Sequence, residues 1–101
     1  MVGNGGDLAS RGGIVFRPKQ RSDIRTRVVD GETVVLDRRE EFIHQFNTTA
    51  SYIWERCDGH HTPDEISHEL GAAFDVDIHT ARSDVLATIE SLRQAKLLEP
   101  E

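Results

Sequence analysis

The apolar periodicity of this chain changes once, at Asn47, and that change restricts the fold more than any other feature. Before it, apolar and β-branched residues alternate in short runs. Asp23 to Val29 sets Ile24, Thr26 and Val28 against Arg25 and Arg27, which is period two. Asp30-Gly31 follows as a two-residue hairpin signal, and Glu32 to Asp37 supplies Thr33, Val34, Val35 and Leu36 for a second strand. Arg38-Arg39-Glu40 is a polar connection, and Glu41 to Phe46 reads as a third strand. Three short strands with short links make an antiparallel meander, which needs a cover for its apolar face.

After Asn47 the spacing becomes three and four. Asn47 caps a predicted helix running to Cys57, with Ala50, Ile53, Trp54 and Cys57 as its apolar stripe and Asp58-Gly59 as its stop. Thr62-Pro63-Asp64-Glu65 is a dense helix start: N-cap, proline at the first position, and the glutamate of a capping box. That helix carries Ile66, Leu70 and Phe74 inward. Asp77 caps a third helix with Ile78, Ala81, Val85, Ile89 and Leu92 in register, and Leu97 and Leu98 close the core. The expected fold class is therefore α+β: a three-stranded antiparallel sheet followed by three helices. It occupies residues 14–101 behind a glycine-rich tail at 1–13, which holds five of the eight glycines and is expected to be flexible. Residues 14–22, apolar and then basic around Pro18, are expected to pack loosely on the domain.

Charge narrows the function. The net charge is −6, divided as +2 over residues 1–40 and −8 over 41–101. A duplex-DNA reader presents a basic face to phosphates, and here the helical part is the acidic one. No apolar run approaches the roughly 20 residues of a membrane span, and the N-terminus lacks a secretory apolar core. One cysteine excludes an internal disulfide framework and favours a cytoplasmic setting. The five histidines lie at scattered spacings without the recurring Cys and His pattern of a zinc site, so no metal or other cofactor is expected. Cys57 lies on an apolar helix stripe with no activating base, and Asp58 and Asp84 suit caps and loop contacts better than an acid–base pair. An enzyme is not expected.

Gly31, Val34-Val35-Leu36-Asp37, Phe46-Asn47-Thr48-Thr49-Ala50, Ile53-Trp54, Asp58-Gly59, Thr62, Glu65-Ile66, Leu70, Ala81, Asp84-Val85, Leu92 and Leu97-Leu98 form an ordered series. In that series the chain resembles the PqqD family and, more broadly, the RiPP recognition elements of ribosomal peptide maturation. Phe46 stands where leucine is commoner, and Lys96 where a glycine precedes the final leucine pair. The resemblance implies a winged-helix-like domain that binds the leader of a ribosomally made precursor peptide. The leader would add as a strand to the third strand, lie against the third helix, and be presented to a modifying enzyme such as a radical-SAM maturase.

An open sheet edge suits that role, because unpaired N–H and C=O groups give affinity and alternate side-chain pockets give selectivity. The expected contacts are Glu41, Phe42, Ile43, His44, Gln45 and Phe46 on the strand, with Arg82, Val85, Leu86 and Ile89 on the helix. Phe42, His44 and Phe46 share one face, taken as the core face, and Ile43 and Gln45 share the other. Which of the two sets turns its N–H outward is open at this point. The rival reading is a winged-helix DNA-binding regulator, sustained by the basic segment from Arg11 to Arg39. A third is a docking module that only tethers an enzyme.

Overall fold

The computed structural model describes residues 15–100. The glycine-rich tail at 1–13 lies outside them. Three strands, β1 (Arg25–Val29), β2 (Glu32–Asp37) and β3 (Phe42–Phe46), precede three helices, α1 (Thr48–Glu55), α2 (Pro63–Phe74) and α3 (Ile78–Gln94). The sheet is antiparallel in the order β1-β2-β3, so β2 is central and both outer strands have an open edge. Asp30 and Gly31 both take positive φ (52° and 80°), the geometry of the tight turn that matches strand twist.

The caps form where the residues dictate them. Asn47 accepts from the Ala50 N–H, and Thr62 and Glu65 complete a reciprocal capping box. Asp77 accepts from the His79 and Thr80 amides. The three helices and the inner face of β2 enclose one core: Val35, Ile53, Trp54, Cys57, Ile66, Leu70, Ala81, Val85, Ile89, Leu92 and Leu97. Phe74 and Leu98 are only partly buried against it.

Several boundaries differ from expectation. β1 begins at Arg25, because Asp23 is held by Arg21 and Arg39 instead of joining the ladder. β3 begins at Phe42; Glu41 belongs to the turn, with φ at 55°. α1 stops at Glu55 with Arg56 as its cap, so Cys57 lies beyond the helix, and Gly59 (φ 85°) serves the following turn. The left-handed cap instead occurs at Asp75, which ends α2.

The larger correction concerns residues 15–22, which are woven into the domain. Pro18 is buried, and Lys19 and Gln20 bridge to Asp58 and Leu98. Gln20 Nε2 donates to the Trp54 carbonyl at 2.7 Å. Arg21, 7% exposed, forms paired hydrogen bonds with Asp37 (2.9 and 3.0 Å) and with Asp23, and donates to the Lys96 carbonyl at 2.7 Å. This segment therefore ties the far end of β2 to the C-terminal strap. Asp37 is fully buried, yet its carboxyl is held below the usual range, first by its hydrogen bonds from Arg21.

Candidate functional site

The tight turn fixes which groups each strand offers. It closes on Val29 and Glu32, so that pair is hydrogen-bonded, and Arg27–Val34 and Arg25–Leu36 follow at alternate positions. The remaining β2 residues, Thr33, Val35 and Asp37, then direct their N–H and C=O toward β3. An independent contact agrees: the Thr33 N–H donates to Ser51 Oγ at 2.9 Å, and that hydroxyl donates onward to the Phe46 carbonyl at 3.2 Å. Thr33 pairs with Phe46, Val35 with His44 and Asp37 with Phe42. Phe42 and His44 therefore spend their main-chain groups on β2, while the Phe46 carbonyl takes the Ser51 hydroxyl. Ile43 and Gln45 turn theirs to the open edge.

Side chains divide the opposite way. Phe42, His44 and Phe46 share a face with Thr33, Val35 and Asp37, the face that the helices cover. The cover is graded. α1 departs immediately after Asn47, so Phe46 packs on Trp54 (ring centroids 5.5 Å apart) and is half-buried. Phe42, at the far end, meets the His44 ring edge to face, centroids 4.7 Å apart, but remains 57% exposed. The expectation that this is the core-facing set thus holds, but the cover reaches only Phe46; Phe42 overhangs beyond it. Ile43 and Gln45 lie on the outer face, Ile43 at 64% exposure beside Leu36.

A groove leads from the Phe46 end of β3 to α3. Its floor is lined by Phe46, Ala50, Ala87, Thr88, Ser91 and Leu92, and it continues past Asn47 and Thr49 to Asp84. On a helix advancing about 100° per residue, the core stripe Ala81–Val85–Ile89–Leu92 has two flanks. Asp84, Ala87, Thr88 and Ser91 form the flank toward β3. Arg82 and Leu86 form the other, facing Val15, Phe16, Pro63 and Ser67. Arg82 is bonded to Asp64 at 2.7 Å, and Arg93 lies over the Phe16 ring at 5.5 Å. Val85 and Ile89 are buried in the core at 0% and 4% exposure.

Of the sequence-expected residues, the structure therefore brings Ile43, Gln45 and Phe46 to one edge, with His44 half-buried behind them. Glu41 lies in the turn, Val85 and Ile89 lie beneath the surface, and Arg82 and Leu86 are turned away from β3. The groove-lining residues that sequence reasoning passed over are Asn47, Thr49, Ala50, Asp84, Ala87, Thr88, Ser91 and Leu92. Their signal was present: small side chains recur at 84, 87, 88 and 91, beside the core stripe, where a second backbone can approach.

Cys57 is buried, its thiol pushed up to about 12, by desolvation first and by Asp58 second, and it donates to the Ile53 carbonyl. It remains a thiol at neutral pH. Among the described residues no group of three or more His, Cys, Asp or Glu is placed to hold a metal ion, and no helix is long and apolar enough to cross a membrane.

Comparison with solved structures finds this architecture elsewhere. Lasso peptide synthetase B1 complexed with the leader peptide superposes with a TM-score of 0.75 at 27% identity, over 84% of this chain and 100% of that one. TbiB1 in complex with the TbiA(beta) leader peptide gives 0.74 at 24% identity, over 82% and 96%. The PqqD truncation of Methylobacterium extorquens PqqCD, a stand-alone RiPP recognition element solved by NMR, gives 0.68 at 24%, over 82% and 88%. At 24% identity these last two establish the fold alone. No curated protein sequence matches the chain. The sequence profile of coenzyme PQQ synthesis protein D matches residues 32–98, from the first residue of β2 to the strap after α3, and on that match the chain belongs to the PqqD family.

Proposed function

We propose that this chain binds the leader of a ribosomally made precursor peptide as a fourth strand on β3 and presents it to a modifying enzyme, doing no chemistry itself. The observation that carries this reading is the pairing of an open edge with a groove. Ile43 and Gln45 direct free main-chain groups outward, and the small residues Ala87, Thr88 and Ser91 leave room at the Phe46 end of the same strand. An added antiparallel strand would place alternate side chains over Phe46 toward α3 and the others beside Ile43 on the outer face. The likeness at 27% identity to lasso peptide synthetase B1 complexed with the leader peptide supports a leader as the partner. Family membership supports the partner class. A recognition role without catalysis agrees with a buried, protonated Cys57.

The test is a titration of nitrogen-15-labelled protein with a synthetic leader from a precursor encoded beside this gene. Amide shifts should concentrate at Ile43, Gln45, Ala87, Thr88 and Ser91. Shifts confined to β1 and β2, with β3 and α3 silent, would overturn the reading.

A further inference from the structure

The groove beside β3 is not uniform along its length. At the Phe46 end it is an apolar cup, formed by Phe46, Ala50, Ala87 and Leu92 with Ser91 at its rim. Beyond Asn47 it turns polar, where Asn47, Thr49 and Thr88 surround Asp84. Asp84 is the one charged side chain lining either part. It is exposed and makes no hydrogen bond or ion pair with any described residue. The other acidic residues of the helical starts are engaged: Asp64 holds Arg82, Glu65 closes the capping box, and Asp77 caps α3.

From this we infer that the groove selects a leader segment bearing a basic side chain two residues before the bulky apolar residue that fills the cup, with Asp84 as the selecting group. This rests on the strand-addition reading above and specifies its substrate. The spacing follows from strand geometry. On an antiparallel fourth strand, the residue opposite Phe46 points toward α3, because residues opposite one another share a face. The next residue on that face lies two positions toward the leader's N-terminus, about 7 Å on, past Asn47 and toward Asp84. The residue between them faces away from α3, on the side of Gln45, and cannot reach Asp84. The chemistry asked for is a lysine or arginine; a glutamate at the same place would meet Asp84 in a chain already at net −6.

The probes are three labelled ten-residue synthetic peptides of alternating leucine and threonine. In the first, lysine replaces the groove-face residue two before the central leucine. In the second, glutamate stands there. In the third, the lysine is moved one residue, to the opposite face, which keeps composition and charge identical. Binding is read by fluorescence anisotropy, and the site by the Ile43 and Gln45 amides. The first peptide should bind about fivefold tighter than the other two, in the range of a partly exposed ion pair. Asp84→Asn should level the first and third peptides, and Asp84→Lys should favour the glutamate peptide. Asp84 is exposed and unbonded, so both variants should keep the native spectrum. Peptides that shift the Ile43 and Gln45 amides but show no preference, or a preference unchanged in Asp84→Lys, would overturn this inference and leave strand addition standing. Peptides that shift neither β3 nor α3 would count against both.

Discussion

The sheet has two open edges, and their surroundings differ. β1 is exposed at every position, its Val28 and Val29 are 57% and 49% accessible, and no helix flanks it. Its Arg25 and Arg27 have no ionic partner among the described residues. Charged side chains of this kind discourage another strand from pairing along an edge. β3 is equally accessible at Phe42 and Ile43, yet at Phe46 it meets α1 and the small-residue flank of α3. An edge becomes a binding site when something beside it can hold the side chains of the added strand. Backbone vacancy alone is common to both.

Proline distinguishes the two edges most sharply. On β3 the outward N–H groups belong to Ile43 and Gln45, and on β1 they belong to Thr26 and Val28. None of these enters the native ladder, so proline at such a position removes an edge donor without removing an internal bond. Ile43→Pro should weaken leader binding at least about a hundredfold, equivalent to about 2.8 kcal/mol. Thr26→Pro should leave it within about twofold. Each variant is first required to show a native-like circular dichroism spectrum. Equal losses from both would mean that the edges are not distinguished.

The edge-facing set was not legible from the sequence, for a geometric reason. Alternation in Glu41 to Phe46 shows which residues share a face, but the direction of N–H depends on counting pairs outward from the Asp30-Gly31 turn. That count needs the β2–β3 register. The helix order and all three N-caps were legible, because caps are local: Asn47, Thr62 and Asp77 bond within three residues of themselves. The core stripe of α3 was also legible, while the flank that faces β3 was not. A stripe has two sides, and only the crossing of α3 over the sheet decides which one meets β3. The role of Arg21 was hidden because its partners, Asp37 and the Lys96 carbonyl, are 16 and 75 residues away.

The covered end of β3 rests on Trp54, which is 1% exposed and carries Phe46 on its ring. Trp54→Ala should cost about 3–5 kcal/mol in chemical denaturation. It should also lower leader affinity more than it disturbs the β1 amides, since the cavity opens beneath Phe46 and not beneath β1. An unchanged melting temperature would show that the ring is not buried.

A smaller effect should appear with pH, at the opposite end of α1. His61 Nδ1 lies 3.0 Å from Asp58 and Nε2 lies 3.3 Å from Glu69, so the ring joins the turn after α1 to α2. Its pKa is raised, first by the hydrogen bond to Asp58, with the charges of Asp58, Glu69 and Glu65 adding to it. A raised folded value means the clamp stabilises fully below about pH 6.5, the unfolded value, and is lost as pH rises through the folded one. Asp58 is shifted the opposite way, so its share is lost as pH falls below about 4. Melting temperature should therefore decline modestly from pH 6 to pH 8, and His61→Gln should flatten that decline. Because the clamp is remote from both sheet edges, leader binding by His61→Gln should match wild type at pH 6. A binding defect there would tie the groove to α2.

The smallest change expected lies between the two edges, on β2. Thr33 faces the core between Val28 of β1 and Phe46 of β3, at 1% exposure, and its Oγ1 has no hydrogen-bond partner among the described residues. Its main-chain N–H is satisfied separately, by Ser51 Oγ. A buried hydroxyl without a partner carries a desolvation cost and contributes nothing that a methyl would not. Valine has nearly the same shape and a higher strand preference, so Thr33→Val should raise stability by up to about 1 kcal/mol. Ser51→Ala should act in the other direction, by about 1–3 kcal/mol, since it strands the Thr33 N–H and removes a donor from the Phe46 carbonyl. The two substitutions touch the same residue pair but different atoms, so they separate side-chain from main-chain satisfaction. Thr33→Val should leave leader affinity unchanged, because neither the Ile43 and Gln45 edge nor the α3 flank moves. Ser51→Ala should weaken it, because the Phe46 end of β3 loses its tether to α1. If Thr33→Val instead lowers stability by 1 kcal/mol or more, Oγ1 has a partner in solution, and the β2–β3 junction is held by more than the Ser51 bridge.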